Sequence, residues 1–63
     1  MFEVFDFQGQ TSLNKAKFVG KFSSFEEAKK AQSKDAWNRQ IYFEGDDGFW
    51  GVREDNGKIV KGY

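Results

Sequence analysis

The side chains that perform most enzyme chemistry are missing from this 63-residue chain, which contains neither histidine nor cysteine. Without histidine there is no imidazole general base, no Ser-His or Cys-His nucleophile pair and no imidazole metal ligand. Without cysteine there is no disulfide and no thiolate zinc site. We therefore expect a protein that is not an enzyme, with no catalytic residues, no metal site and no cofactor.

Adjacent carboxylates are the remaining candidates for acid–base chemistry. They occur as Asp46-Asp47 and Glu54-Asp55, both in or beside predicted turns. General acid–base catalysis needs carboxylates held at a fixed separation, which neighbouring residues of exposed loops seldom provide. We interpret both pairs as solvated turn residues.

The charge balance bears on the class of partner. Ten basic and ten acidic residues give zero net charge, which removes the long-range field that a generic nucleic-acid or anionic-membrane binder would use. No apolar run approaches the length of a membrane span, and no signal peptide is recognisable. The sequence predicts a single cytoplasmic domain over residues 1–63 with no membrane association.

The first two predicted strands differ in pattern. Met1–Gln8 carries apolar residues on both parities, which indicates a strand covered on both faces or a bulge. Ala16–Phe22 alternates more cleanly, which is typical of a half-buried strand. Its predicted core side is Ala16, Phe18, Gly20 and Phe22, and its predicted solvent side is Lys17, Val19 and Lys21.

A capped helix is predicted over Phe25–Lys34. Ser24 stands three residues before Glu27, the spacing of a capping box. Phe25, Ala28 and Ala31 form an apolar stripe that can lie against a sheet.

Three further strands are predicted over Asn38–Glu44, Phe49–Glu54 and Lys58–Tyr63. The first hairpin loop is Asp46-Asp47 or Asp47-Gly48. Asn56-Gly57 is typical of a two-residue type I′ turn, which would pair Asp55 with Lys58, Arg53 with Val60, Val52 with Lys61, Gly51 with Gly62 and Trp50 with Tyr63. The resulting fold class is α+β, a β-β-α-β-β-β antiparallel sheet of about five strands with one helix on one face.

This pairing divides the side chains of the last three strands between two faces. The predicted helix-covered face holds Ile41, Phe43, Trp50, Val52, Ile59 and Tyr63. The opposite face holds Tyr42, Phe49, Gly51, Arg53, Val60 and Gly62. Either the N-terminal strand pair or a second copy covers this second face, or it is a functional contact.

The preferred functional hypothesis is a small protein-binding module, a bacterial or phage inhibitor or modulator of a larger, unidentified protein. Aromatic and arginine side chains dominate interface energies, so the predicted contacts are Tyr42, Phe49, Arg53 and Val60. Trp37, at the helix exit, is a second candidate anchor; the alternative is that it closes the end of the core. A homodimer is a further alternative.

Two other classes of function remain open. A nucleic-acid binder would use a lysine strip on the second strand and the helix, formed by Lys15, Lys17, Lys21, Lys29 and Lys30. A nucleotide or small-ligand binder would stack its ligand on Tyr42 and Phe49.

The segment GKFSSFEEAKKA, Gly20–Ala31, resembles the strand-to-helix passage of the plant ethylene-response-type DNA-binding domain and of related phage integrase arm-binding domains. The resemblance implies a sheet that enters a DNA major groove. The sequence departs from that family because two predicted strands precede the helix, three follow it, and the Arg-rich sheet is missing. We do not assign the chain to that family.

Overall fold

The computed structural model describes residues 1–60, which form one antiparallel sheet with one helix on it. The elements are β1 (Phe2–Asp6), β2 (Lys17–Phe22), α1 (Phe25–Ser33), β3 (Arg39–Gly45), β4 (Gly48–Val52) and β5 (Ile59–Val60), with a 3-10 turn at Leu13–Lys15. The strand order is β2-β1-β3-β4-β5. The predicted α+β class and element order are confirmed.

A helix that spans a membrane must be long and apolar. Within residues 1–60, no helix combines the length and the apolar character needed to cross a bilayer.

Strand β1 lies near the middle of the sheet, between β2 and β3. This position explains why its apolar residues fall on both parities. Phe2 and Val4 face α1, and Val4 is completely buried in the core with Ala28. Phe5 points to the opposite face. The bulge that the sequence pattern allowed in β1 lies in the neighbouring strand β2 instead.

Strand β2 contains a bulge at Val19, since Val4 pairs with Gly20 whereas the next residue, Phe5, pairs with Phe18. An extra residue in one strand reverses the alternation on one side of it. The predicted faces of β2 are therefore wrong at Lys17, Phe18 and Val19, and Lys17 lies on the α1 side opposite Asp6. Val19 packs against the core, and Phe18 is 50% exposed on the opposite face.

Helix α1 begins where the capping signal predicts and ends at Ser33, one residue before the predicted end. The Ser24 hydroxyl accepts a hydrogen bond from the Glu27 backbone N–H at 3.3 Å. The Glu27 carboxylate accepts from the Ser24 hydroxyl at 3.2 Å, so only half of the backbone capping box forms. Ala28 is completely buried, and this small residue lets the helix lie close to the sheet.

The two C-terminal hairpins have loops of different lengths. In the first, Gly45 pairs with Gly48, so Asp46-Asp47 is the loop, one of the two predicted alternatives. In the second, Val52 pairs with Ile59, and the predicted two-residue turn is wrong. The loop comprises residues 54–57, closed by hydrogen bonds from the Arg53 N–H to the Lys58 carbonyl (2.8 Å) and from the Gly57 N–H to the Arg53 carbonyl (2.7 Å).

The longer loop has a local cause. A type I′ turn needs positive φ at both central residues, but here only Gly57 adopts it, with φ of +75°. The Asn56 side chain instead accepts a hydrogen bond from the Lys58 N–H at 2.9 Å. The register consequently shifts by two residues, which keeps Ile59 and Val60 on their predicted faces because the strand period is two.

The shifted register changes the predicted neighbours of one position. Val60 lies opposite Gly51 rather than opposite Arg53. The predicted strand residues Lys61, Gly62 and Tyr63 lie outside the described residues.

The core is small and lies between α1 and the sheet. Val4, Ala28 and Ile41 are the fully buried apolar residues among those described, surrounded by partly buried Phe2, Val19, Phe22, Phe25, Ala31 and Val52. On the same side, Trp50 packs against Phe43 with ring centroids 5.9 Å apart. The sequence therefore placed most of this wall correctly.

Candidate functional site

The sheet face opposite α1 carries a connected group of aromatic rings, which we call the aromatic face. It consists of Phe5, Phe7, Phe18, Tyr42 and Phe49. Phe5 lies at its centre, with ring-centroid distances of 5.6 Å to Phe18, 5.8 Å to Tyr42 and 5.6 Å to Phe49, all edge-to-face. This geometry is the favourable one for aromatic pairs, so the rings form one continuous apolar surface.

Neither α1 nor any strand among residues 1–60 crosses the aromatic face. The alternative that the N-terminal strand pair covers it is wrong, because β1 and β2 belong to the same sheet and themselves supply two of the rings, Phe5 and Phe18. Phe18 is 50% exposed and Phe49 is 38% exposed. Residues 1–60 thus leave open a surface of the kind that marks interaction sites.

Three of the predicted contact residues lie together here. Tyr42 and Phe49 have ring centroids 6.4 Å apart. Val60 is 44% exposed and lies on the same side of the sheet, because Gly51 pairs with both Tyr42 and Val60. The fourth predicted residue, Arg53, directs its guanidinium at Asp55, with Nε 3.4 Å from Oδ1. Its charge is therefore already partnered.

Trp37 lies in the turn between α1 and β3 and is 94% exposed. The alternative that it closes the end of the core is wrong. The turn around it is well ordered by hydrogen bonds: the Asn38 and Arg39 N–H groups both donate to the Asp35 carbonyl, at 3.1 and 2.9 Å, and the Phe7 N–H donates to the Asn38 carbonyl at 2.8 Å. The indole is thus presented to solvent by a fixed turn attached to β1.

An open groove of about 460 Å³ lies between the Trp37 turn and the edge of the aromatic face. Phe7, Trp37 and Tyr42 provide its rings, and Gln10, Thr11 and Gln40 provide polar groups. No charged residue lines it among those described. Exposed Trp37 and the aromatic face therefore belong to one continuous surface.

A carboxyl pair borders the aromatic face. Glu3 is only 4% exposed, and its Oε2 has no hydrogen-bond partner among the described residues. Burial, followed by a hydrogen bond with Glu44 and repulsion from it, raises the pKa of Glu3. The same hydrogen bond, followed by the charge of Lys21, whose Nζ is 3.4 Å from Glu44 Oε2, lowers the pKa of Glu44. As pH rises, Glu3 is therefore the second of the two carboxyls to lose its proton.

Stability should depend on pH through Glu3. A carboxyl with a raised pKa in the folded protein holds its proton more tightly than in the unfolded chain, so stability declines as pH rises from 4.5 through the folded pKa. Glu3→Gln mimics the protonated form and should raise the free energy of unfolding at neutral pH, with the difference vanishing as pH falls below the unfolded value of 4.5. Urea denaturation across this pH range measures the effect.

Glu44→Gln is the matched control because the pKa of Glu44 is shifted in the opposite direction. Its ionised form stabilises the fold above the ordinary pKa, and this contribution is lost as pH falls through the lowered pKa. Glu44→Gln should therefore lower stability at neutral pH. Equal effects of the two substitutions would contradict the opposite directions of the two pKa shifts.

The structure does not assemble the predicted lysine strip. Lys21 lies on the side of the aromatic face and bridges to Glu44, whereas Lys29 and Lys30 belong to α1, which packs on the other side of the sheet. Lys17 pairs with Asp6, whose carboxylate faces the α1 side, and Lys15 ends the 3-10 turn. The sheet therefore separates Lys21 from the helix lysines, and the use of these residues in nucleic-acid binding stays a prediction.

The predicted turn carboxylates serve local structure. Asp47 Oδ1 accepts a hydrogen bond from the Trp50 indole at 2.9 Å, and Asp55 partners Arg53. In the part of the chain that is described, no group of three or more acidic residues could hold a metal ion.

Three rings of the site, Phe5, Phe7 and Phe18, and the buried acid Glu3 were not predicted from the sequence. Phe5 and Phe7 could have been found, because the two-sided pattern of β1 already directs them away from the helix-facing Phe2 and Val4. Phe18 had no such signal, since nothing in the sequence marks the bulge that turns it over.

The fold and this surface define a small α+β protein with a helix on one side of its sheet and an open aromatic face on the other. Comparison of the chain with protein-family models, with curated proteins and with solved structures finds no match.

Proposed function

We propose that this protein is a non-enzymatic binding module that captures a larger protein through its aromatic face and Trp37. The observation that supports the proposal most is the exposure of a connected set of large rings together with a tryptophan that is 94% exposed. Tryptophan and tyrosine are the residue types that most often dominate interface energies, usually in clusters near the centre of the contact.

The charges around the aromatic face favour a protein over a nucleic acid. A nucleic-acid surface needs cations that neutralise phosphates. Two of the cations on this side, Lys21 and Arg53, are already bridged to Glu44 and Asp55. An apolar centre with balanced charges at its rim is instead the usual composition of a protein–protein contact.

The function is tested with Tyr42→Ala combined with Phe49→Ala. The wild-type protein should capture a specific partner from its native host, and mass spectrometry identifies that partner. With both proteins purified, the double variant should bind at least a hundredfold more weakly, because two hot-spot residues contribute about 2 kcal/mol or more each. Its circular dichroism spectrum should stay that of the folded protein.

Lys29→Ala combined with Lys30→Ala is the matched control, since both residues lie on α1, away from the aromatic face. This variant should retain wild-type affinity. Loss of binding in the lysine variant, with binding retained by the ring variant, would contradict the proposal.

A further inference from the structure

We propose that the outer edge of β2, together with the groove between β2 and α1, binds an extended acidic segment of another protein, which joins the sheet as an added strand. The inference goes beyond the proposed function, because this groove lies on the α1 side of the sheet and the aromatic face lies on the other side. Addition of a strand to an open sheet edge is a general mode of peptide recognition. Main-chain hydrogen bonds supply its affinity, and pockets for alternate side chains supply its specificity.

Strand β2 has one free edge. It is the first strand in the order β2-β1-β3-β4-β5 and pairs with β1 alone. No residue in the described part of the chain forms a backbone hydrogen bond with its other edge. The unpaired N–H and C=O groups of such an edge make it a template for another strand. The bulge at Val19 interrupts the ladder locally, so the pairing that β2 offers is short.

An open groove of about 440 Å³ lies between β2 and α1. Its apolar lining consists of Val19, Phe22 and Ala31, which are partly buried against the core. A strand added to β2 would direct every second side chain toward the α1 side of the sheet, because successive side chains point to opposite faces. An apolar side chain at one of those positions would pack on this lining.

The cations of the groove favour an acidic ligand. Lys30 and Lys34 line it, are exposed, and form no ion pair with any of residues 1–60. Arg39 is already held in an ion pair, and the acid Glu27 accepts hydrogen bonds from two serine hydroxyls at 3.3 and 3.2 Å. Two ammonium groups therefore remain to meet carboxylates of the bound segment, and such complementary charges determine which partner is accepted.

The lysines of the sheet edges disfavour a second copy of this chain as the added strand. Strand β2 carries Lys17 and Lys21 and no acid, and β5, at the opposite edge of the sheet, directly follows Lys58. An edge strand of a second copy would therefore bring further lysines to β2, and like charges on paired strands are destabilising. Lysines on edge strands are a common protection against self-association. An acidic strand of a different protein meets no such repulsion.

The test is an NMR titration of the full chain with a pool of capped octapeptides built from valine, isoleucine, threonine, aspartate and glutamate. Binding should shift the amide signals of Val19 and Phe22 and should protect the outward-facing N–H groups of β2 from hydrogen exchange. The same pool with every residue N-methylated cannot donate to the edge and should bind at least about tenfold more weakly. A pool in which lysine replaces both acids should lose affinity to a similar degree.

Lys30→Glu combined with Lys34→Glu should weaken binding of the acidic pool at least about tenfold, because it reverses both free charges of the groove. Lys29→Glu combined with Lys58→Glu is the matched control. It makes the same change in net charge at two positions that do not line the groove, and it should retain wild-type affinity for the pool. The amide spectra of both variants should remain those of the folded chain.

Absence of binding at millimolar peptide, or equal binding of the acidic and lysine pools, would overturn the inference. Oligothymidine that binds through Lys30 and Lys34 in place of the acidic peptides, without protection of β2, would overturn it as well. The proposed function fails on a different observation, the retention of partner capture by Tyr42→Ala with Phe49→Ala. Those substitutions alter the other side of the sheet, so the two failures are distinguishable.

Discussion

Replacing Arg39 with alanine is expected to lower the free energy of unfolding by about 2–4 kcal/mol. The Arg39 side chain is 22% exposed and that of Asp6 is 12% exposed, with Nε 3.2 Å from Oδ2. Its Nη1 also donates to the Ala31 carbonyl near the end of α1 at 2.8 Å. The substitution would leave the Asp6 charge without a partner in a mostly buried site and detach the helix end from β3.

The matched control is Arg53→Ala, which removes the same side chain from a pair that is 58% and 66% exposed. Exposed pairs contribute about 0–1 kcal/mol. A chain of this size has a total stability of about 3–9 kcal/mol, so urea denaturation should separate the two variants clearly. Similar losses in both would contradict the buried role of Arg39.

Replacing Gly57 with alanine is the second large effect, with an expected loss of about 2–5 kcal/mol, the sum of a conformational and a steric cost. Gly57 has φ of +75°, and a Cβ there would lie 2.7 Å from Phe25 Cγ. The left-handed conformation costs a non-glycine residue about 1–2 kcal/mol, and the clash with a packed ring adds about 1–3 kcal/mol. The measurement is again the change in unfolding free energy.

Gly9→Ala separates the two contributions. Gly9 has a similar φ of +82°, but a Cβ added there would meet nothing within 4 Å, so only the conformational cost of about 1–2 kcal/mol should appear. Phe25→Leu in the Gly57→Ala background should recover part of the loss, because the smaller side chain can move aside. Equal losses at Gly57 and Gly9 would show that Phe25 does not constrain the loop.

The fold was predictable from the sequence where local signals decided the structure. The Ser24 cap fixed the start of the helix, and the glycine-rich turns fixed the existence of the hairpins. The parity of Ile41 and Val52 then identified the side of the sheet that faces α1. The cap and the turns depend on contacts between residues close in the chain, and the faces of the strands depend on the strand period of two. Both kinds of signal are visible in the amino-acid sequence.

The candidate site was only half predictable, for two physical reasons. The bulge at Val19 depends on how β2 meets β1, and that pairing joins distant segments, so Phe18 was assigned to the wrong face. The placement of β1 beside β3, rather than across the sheet, is also a tertiary choice. It places Phe5 beside Tyr42 and Phe49 on the aromatic face, whereas the alternative drawn from the sequence had the N-terminal strands covering those two rings.

Hydroxyl-radical footprinting of the complex with the captured partner tests the central claim most directly. Binding should strongly reduce oxidation of Phe18, Phe49 and Trp37, which are exposed in the free chain, while labelling of Lys30 and Lys34 at the opposite side stays unchanged. Unchanged oxidation of the three aromatic residues, with protection confined to α1, would contradict the assignment of the aromatic face as the binding surface.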